Sequence, residues 1–391
     1  MKLAASFRAI AIVIVFAAAL VSAFPFFADA QSEFMRGNRM PYDAFDKLPK
    51  IDLAVPGGVI TRGRWSDVWR ANLHLRGAGR VLARIASFHV THLAQLDKLS
   101  RRIDWASVLR KDVPFRVDAT CRTSKIYHSG AAAERVAKAI TATLGAPLSD
   151  DAPVEIKVRL ENDLCTIAVD TSGELLHKRG AKLAVNKAPM RETLAALMLR
   201  ACGYDGREPV LDPMCGAGTF VIEAAEIATG LAPGRNRSFA FEHLATFDAA
   251  AWEEMCKGLP PRRKTDVRFF GSDRDADAIT MSRTNAERAG VAELCTFTQA
   301  TISDLVRPEG PAGLVVVNPP YGVRIGDKKP LFPLYRALGT TLRERFSGWR
   351  VGLVTTEHNL ANATGLPFKT PGPAIAHGGL RVTLFTTDAL I

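Results

Sequence analysis

The chain has 391 residues, 51 Lys and Arg against 40 Asp and Glu, and a formal charge of +11. Its 47% hydrophobic content is that of an ordinary globular protein with a core of ample size and two or three domains, so a chain too polar to fold is excluded. The basic excess suggests a polyanionic partner, nucleic acid or anionic membrane, while Cys121, Cys165, Cys202, Cys215, Cys256 and Cys295 include no CxxC pair for zinc or redox chemistry, and no metal is expected.

In chain order, Lys2 and Arg8 precede an apolar run over residues 9–19, and Ala28-Asp29-Ala30 resembles a signal-peptidase site. Alone, residues 1–30 read as a secretory signal or a short membrane anchor, with Ser22 and Pro25 making a span marginal. Unpaired cysteines and the motifs described below fit a reducing compartment better. The expectation is therefore a cytoplasmic protein whose start is non-native or wrongly assigned. Membrane contact through this leader, or export, is the alternative.

Residues 31–50 are polar, with Gly37, Pro41 and Pro49, and read as a linker; order is expected to begin near Ile51. Residues 51–60 form a strand and turn around Pro56-Gly57-Gly58, and residues 67–75 a helix. Arg76, Arg80 and Arg84, spaced by four, are expected on one face of a helix whose other face carries Val81, Leu82 and Ile85. That face is either merely solvated or a phosphate-contacting stripe. Residues 113–121 alternate as a half-exposed strand, followed by the basic, hydroxyl-rich loop Arg122-Thr123-Ser124-Lys125-Ile126-Tyr127-His128-Ser129-Gly130. A helix over residues 131–144 ends at Gly145 and Pro147, and strands over 154–160 and 165–170 flank an Asn162-Asp163 turn. This mixture predicts an α+β module.

Ala188-Pro189-Met190-Arg191-Glu192-Thr193 begins a helix with Pro189 in its first turn. Then comes E-P-V-L-D-P-M-C-G-A-G-T-F-V-I-E over residues 208–223. Val210 and Leu211 end a buried strand that Asp212 and Pro213 stop. Gly216 and Gly218 make a tight turn open to close ligand approach, and Thr219 is placed to cap the following helix. Cys215 reads as a small packing residue. Strand, glycine turn and helix open a nucleotide-binding α/β sheet, although Val221 stands where a dinucleotide fingerprint has its third glycine. Residues 235–264 read as an insertion with Trp252 and a basic end. A second strand ends at Asp273, a helix covers 276–290 and a third strand 295–298. The apolar run 314–317 is a central parallel strand with Asn318 at its carboxyl end. A helix over 331–346, a strand over 350–355 and an edge strand over 378–385 complete the chain.

Asp212, the glycine turn and Asn318-Pro319-Pro320-Tyr321 together resemble motifs I and IV of the class I S-adenosylmethionine (SAM) methyltransferases that act on exocyclic amines. Phe115-Arg116-Val117, the loop from Ser124 to Ala131, and Asp170-Thr171-Ser172-Gly173-Glu174-Leu175-Leu176-His177-Lys178-Arg179-Gly180 resemble a THUMP domain, an RNA-binding module. The last run is similar to the joint between THUMP and methyltransferase in the bacterial 23S rRNA guanine-N2 methyltransferase family. The chain departs from that family at its start, where the leader replaces the module's usual first strand and helix. The resemblance covers about residues 51–391. It implies an α/β protein: a doubly wound, Rossmann-like class I methyltransferase domain over 187–391, preceded by a smaller α+β THUMP-like domain over 51–180.

The resemblance also implies roles. SAM would contact Asp212, Pro213, Cys215, Gly216, Gly218, Thr219 and Asp273, with Asp212 accepting from its ammonium group and Asp273 taking the ribose hydroxyls. Asp275 is the rival acid but reads as a helix N-cap. The family's usual third-strand acid falls where Thr301 stands, and Asp304 reads as a loop residue. Asn318, Pro319, Pro320 and Tyr321 would be the catalytic loop. The Asn318 side-chain oxygen and the Pro319 carbonyl accept from an exocyclic amine and localise its lone pair, the prolines hold the geometry, and Tyr321 stacks on the turned-out base. RNA would contact Arg122, Ser124, Lys125, Tyr127, His128, Lys178 and Arg179. The loop alone fits adenine N6, guanine N2 or a protein amide, but not cytosine C5, which needs a cysteine. The THUMP-like module favours RNA, rRNA ahead of tRNA, and only the family resemblance selects guanine. A non-catalytic RNA-binding protein with the same fold is the remaining alternative.

Overall fold

The computed structural model describes residues 10–16, 51–55, 58–180, 190–321, 331–377 and 379–391. Two compact units are formed, and each is taken by itself. The first holds residues 58–176 and 237–259 with the strands nearest the N-terminus; the second holds residues 177–236 and 260–391. The division differs from the sequence expectation in assigning 237–259 to the first unit. The reason is aromatic packing: Trp69 lies 6.0 Å from Phe241 and 6.5 Å from Trp252, and Phe241 lies 5.0 Å from Trp252.

The first unit is built on a sheet of seven strands in the order β2-β3-β1-β4-β7-β6-β5. These are β1 (Ile10–Phe16), β2 (Ile51–Val55), β3 (Gly58–Gly63), β4 (Ala78–His89), β5 (Phe115–Arg122), β6 (Val154–Glu161) and β7 (Leu164–Asp170). Helices α1 (Trp65–His74), α2 (Leu93–Ser100) and α3 (Ser129–Leu144) accompany it. β6 and β7 are joined by the two-residue turn at Asn162 and Asp163, both left-handed (φ 52° and 61°), as a tight hairpin requires.

Two expectations are corrected here. The apolar run near the N-terminus was expected to stand apart as a leader, yet Ile10–Phe16 is a strand of this sheet, paired antiparallel with β3 from Ile10–Gly63 to Val15–Gly58. Its β-branched content suits a strand as well as a signal. Order therefore starts before Ile51. The remainder of the leader, with the signal-peptidase-like site, and the linker lie outside the described residues. Arg80 and Arg84 lie in strand β4, not a helix. A spacing of four keeps side chains on one face under either a period of 3.6 or a period of two, so spacing alone does not distinguish the two elements. The arginines are not a free stripe either: Arg80 pairs with buried Asp170 and donates to the Gly173 carbonyl at 2.8 Å, and Arg76 is buried. Burial lowers the Arg80 and Arg84 guanidinium pKa values.

The second unit is a doubly wound sheet in the order β10-β9-β8-β11-β12-β14-β13. Strands β8 (Val210–Asp212), β9 (Phe269–Asp273), β10 (Cys295–Gln299), β11 (Leu314–Val317) and β12 (Arg350–Thr355) are parallel, whereas β14 (Leu380–Thr386) runs antiparallel to β12 and β13 (Ile375–His377). The edge strand is thus β13 rather than the last strand. Helices α4 (Glu192–Ala201), α5 (Thr219–Thr229) and α7 (Ala276–Ala289) cover one face through Leu194, Phe220, Val221 and Ile279, packed with Val316 and Val354. Helices α8 (Leu331–Arg345) and α9 (His358–Ala363) cover the other through Tyr335, Leu338 and Leu360, packed with Val317 and Leu353. Between them in chain order, α6 (Ala249–Lys257) belongs to the first unit. Strand order reverses between β8 and β11, and it is beyond the carboxyl ends of strands at such a switch point that α/β sheets bind ligands. Pro189 and residues 322–330 lie outside the described residues.

Candidate active site

Three strand ends deliver the site residues. β8 ends at Asp212, which is 2% exposed and accepts one backbone bond, from Met214 N at 3.0 Å. Burial, with the nearby Asp273 carboxylate adding to it, pushes the Asp212 carboxyl up to about 8. A buried acid in this state is poised for a cationic partner, which would restore its charge.

The turn after β8 is built from three directions. Gly216 and Gly218 are left-handed, with φ 52° and 80°. A Cβ on Gly216 would meet nothing within 4 Å, so its outer side is open to a ligand; one on Gly218 would meet Ile222 and Ser282 at 3.2 Å. Asp273, at the end of β9, accepts from Gly216 N and Asp275 N, both at 3.0 Å, one to each carboxylate oxygen. Asp275 caps α7 through Asp277 N, as expected. The helix after the turn starts differently from the expectation: Gly218 occupies the N-cap position, and Thr219 is already the first helical residue. The Cys215 thiol is raised beyond the ordinary range by burial, which suits packing and not nucleophilic attack. Among the described residues, no group of three or more His, Cys, Asp or Glu side chains is arranged to hold a metal ion.

Sequence reasoning missed what holds this turn from beneath. Ser282 donates to the Gly216 carbonyl at 2.7 Å and Asn285 to the Ala217 carbonyl at 3.1 Å. Both side chains are buried on α7 beside Ala278, Ile279 and Ala286. Polar residues three apart within an apolar helical stripe were the available signal.

β11 ends at Val317, and Asn318 follows. Its Oδ1 is buried and has no hydrogen-bond partner among the described residues. Such an atom costs free energy unless a ligand satisfies it. Pro319 is buried, Pro320 exposed and Tyr321 half-buried. Tyr335 on α8 was also missed: its hydroxyl donates to the Pro320 carbonyl at 3.3 Å and lies 3.3 Å from Thr355 Oγ1, at the end of β12. This tyrosine is fully buried and clamps the proline loop to the neighbouring strand.

The residues expected to meet RNA separate into two kinds. Arg122, Lys125 and Tyr127 are exposed on the first unit, Tyr127 by 85%. Ser124 and His128 shape the same loop: Ser124 Oγ donates to the Arg122 carbonyl and accepts from Asp163 N, and His128 Nδ1 accepts from Ala131 N to cap α3. In the second unit Lys178 is exposed, but Arg179 is 5% exposed and paired with buried Glu223 at 3.1 Å. Arg179 is therefore not a surface RNA contact; its charge is spent inside the unit. The Asp170-Thr171-Ser172-Gly173 run is likewise structural, with Ser172 N and Gly173 N donating to Asp170 Oδ1 and Asn72 bridging Thr171 and Ser172.

The strand order, the acids ending β8 and β9 and the amide following β11 define a class I methyltransferase fold. Residues 179–369 match a family described as "RMKL-like, methyltransferase domain", and residues 53–82 match the "RlmL ferredoxin-like domain". A similar curated protein is the ribosomal RNA large subunit methyltransferase K/L of Vibrio campbellii, 35% identical over 320 residues, covering 78% of this chain and 45% of that protein. The chain spans about half the length of the curated relatives it matches. Among solved structures, one described as a methyltransferase in complex with S-adenosylhomocysteine (SAH) shares a TM-score of 0.84 and 25% identity over 100% of both chains. Another, from Listeria monocytogenes and described as an "N6-adenine-specific DNA methylase", gives 0.82 and 28% identity over 98% of this chain and 97% of that one. Among the described residues no helix is long and apolar enough to cross a membrane.

Proposed function

We propose that this protein transfers a methyl group from SAM to the exocyclic N2 of a guanine in RNA, in the first instance 23S rRNA, in the cytoplasm. The observation that carries this reading is the buried Asn318 Oδ1, without a hydrogen-bond partner among the described residues, in a proline-stiffened loop at the carboxyl end of β11.

The residues present fit SAM, which when bound supplies a methyl group on a sulfonium. The Asp212 carboxylate would accept from its ammonium, the open side of Gly216 would admit its tail, and Asp273, fixed by two backbone amides, has acceptor capacity left that would take the ribose diol. Pro213 and Cys215 shape the turn, and Thr219 begins the helix beneath it. Asn318 Oδ1 and the Pro319 carbonyl accept the two hydrogens of the amine. Its lone pair, otherwise delocalised into the ring, would be localised on nitrogen, and these dipoles would stabilise the positive charge that nitrogen gains as the sulfonium gives up its methyl group and leaves as the neutral thioether of SAH. The surplus proton leaves to solvent, so no strong base is needed. Tyr321 offers a face for the base. Arg122, Lys125 and Tyr127 on the first unit, in the loop that Ser124 and His128 shape, and Lys178 on the second are the exposed residues assigned to RNA.

The relative's name supports rRNA, and the likeness to a protein described as an adenine-specific DNA methylase favours a second reading, adenine N6, through the same four-residue loop. Purified full-length protein incubated with methyl-labelled SAM and protein-free rRNA, tRNA or duplex DNA distinguishes them. Label entering large-subunit rRNA is expected. Label entering DNA alone, or none at all, refutes the reading.

A further inference from the structure

Thr355 and Thr356, adjacent at the end of β12, have opposite fates. Thr355 is fully engaged: its Oγ1 meets the Tyr335 hydroxyl at 3.3 Å and accepts from Glu357 N at 3.3 Å. Thr356 Oγ1 is buried with no partner among the described residues, the same condition as Asn318 Oδ1.

The register places these two oxygens beyond the carboxyl ends of neighbouring strands. β11 and β12 run parallel, with Val316 opposite Gly352 and Val317 opposite Leu353. Asn318 is therefore level with Val354, and Thr356 lies two residues further along the neighbouring strand. Side chains alternate along strands. Val316 and Val354 belong to the core on the α4–α5–α7 face, and the strand alternation carried two residues on assigns Asn318 and Thr356 to that same side. Asp212 shares this alternation with Val210. Thr355 points to the opposite side, where Tyr335 lies.

A buried hydroxyl without a partner destabilises the fold, and a valine of the same shape would be tolerated better. The residue as a whole is partly exposed, so rotation of χ1 to another staggered well would bring the buried hydroxyl towards the exposed side. On the proposed reading, the amine bound by Asn318 is flanked in guanine by the N1 hydrogen and the N3 lone pair. A hydroxyl can accept from the first or donate to the second.

We infer that Thr356 is a specificity-determining residue of this site, its hydroxyl bonding the ring edge of the purine next to the reactive amine held by Asn318. The inference rests on the proposed reading that the substrate is such a base in RNA.

The test compares full-length wild type with Thr356→Val and Thr356→Ser for methyl transfer to large-subunit rRNA, SAM affinity by calorimetry and thermal midpoint. Thr356→Val is expected to lose about tenfold or more in kcat/KM for RNA, because the base is left with an unpaired polar edge. Its SAM affinity should be unchanged and its Tm equal to or above wild type, while Thr356→Ser retains activity. A Thr356→Val enzyme as active as wild type, or one losing SAM affinity in the same proportion, overturns the inference. Wild type that fails to methylate any RNA overturns the functional reading first, and this inference with it.

Discussion

Removing the Asn318 side chain separates chemistry from binding more sharply than any other change. In Asn318→Ala the target amine keeps the Pro319 carbonyl but loses one of its two acceptors. Deleting a single preorganised dipole of this kind costs about 10²–10³ in kcat, roughly 2.7–4 kcal/mol. Stability should move little. The deleted Oδ1 makes no hydrogen bond among the described residues, so its removal relieves a buried unsatisfied acceptor worth about 1–3 kcal/mol and offsets the packing lost with the amide. The assay is single-turnover methyl transfer to rRNA with SAM affinity and Tm measured in parallel. The expected pattern is a kcat loss of at least two decades, an unchanged SAM dissociation constant and a Tm near wild type. Retained turnover removes Asn318 from the mechanism. A parallel loss of SAM affinity shows that it serves the cofactor instead.

Other outcomes follow from the same geometry. Asp273→Ala should weaken SAM binding by roughly 1.5–3 kcal/mol, whereas Asp275→Ala should lose only a helix cap, about 1 kcal/mol of stability; the reverse pattern in calorimetry identifies Asp275 as the ribose acid. The Asp212 carboxyl, raised to about 8 in the fold, is protonated in both folded and unfolded chains at low pH; as pH rises, only the unfolded chain ionises until about pH 8, so wild type loses stability across that window. Asp212→Asn should therefore gain Tm over wild type increasingly from about pH 4 to 8, with a pH-independent gap refuting the shift, and should bind SAM more weakly. Tyr335→Phe frees the Pro320 carbonyl and should lower kcat by about tenfold with SAM affinity retained; an unchanged kcat means the clamp is not used. Arg179→Ala strips buried Glu223 of this partner and should cost about 3–5 kcal/mol in denaturant unfolding; a stable variant with weakened RNA binding would restore Arg179 to the surface role expected of it.

The fold of the second unit was legible because its signals are local. The strand ending at Asp212, the glycine turn, the acid at Asp273 and the apolar run before Asn318 each occupy a few consecutive residues, and the structure puts all of them at carboxyl strand ends. What escaped were contacts made across the sheet. Tyr335 reaches Pro320 from a helix fifteen residues downstream, and Ser282 and Asn285 reach the turn from 66 and 68 residues away. Arg179 looked like surface charge because its neighbours His177 and Lys178 are polar; its partner Glu223 is 44 residues off. The arginines of β4 deceived through arithmetic, since a spacing of four suits both helix and strand. The run Ile10–Phe16 has the composition of a signal and of a strand alike, and its pairing with β3 is a contact that composition does not show.

The central claim is that the Asn318 loop methylates guanine N2 in ribosomal RNA. Mass spectrometry of nucleosides from large-subunit rRNA of a strain lacking this gene tests it directly. The account predicts a loss of N2-methylguanosine that is restored by the wild-type gene and not by Asn318→Ala. Unchanged N2-methylguanosine, or a loss of N6-methyladenosine in its place, would contradict it.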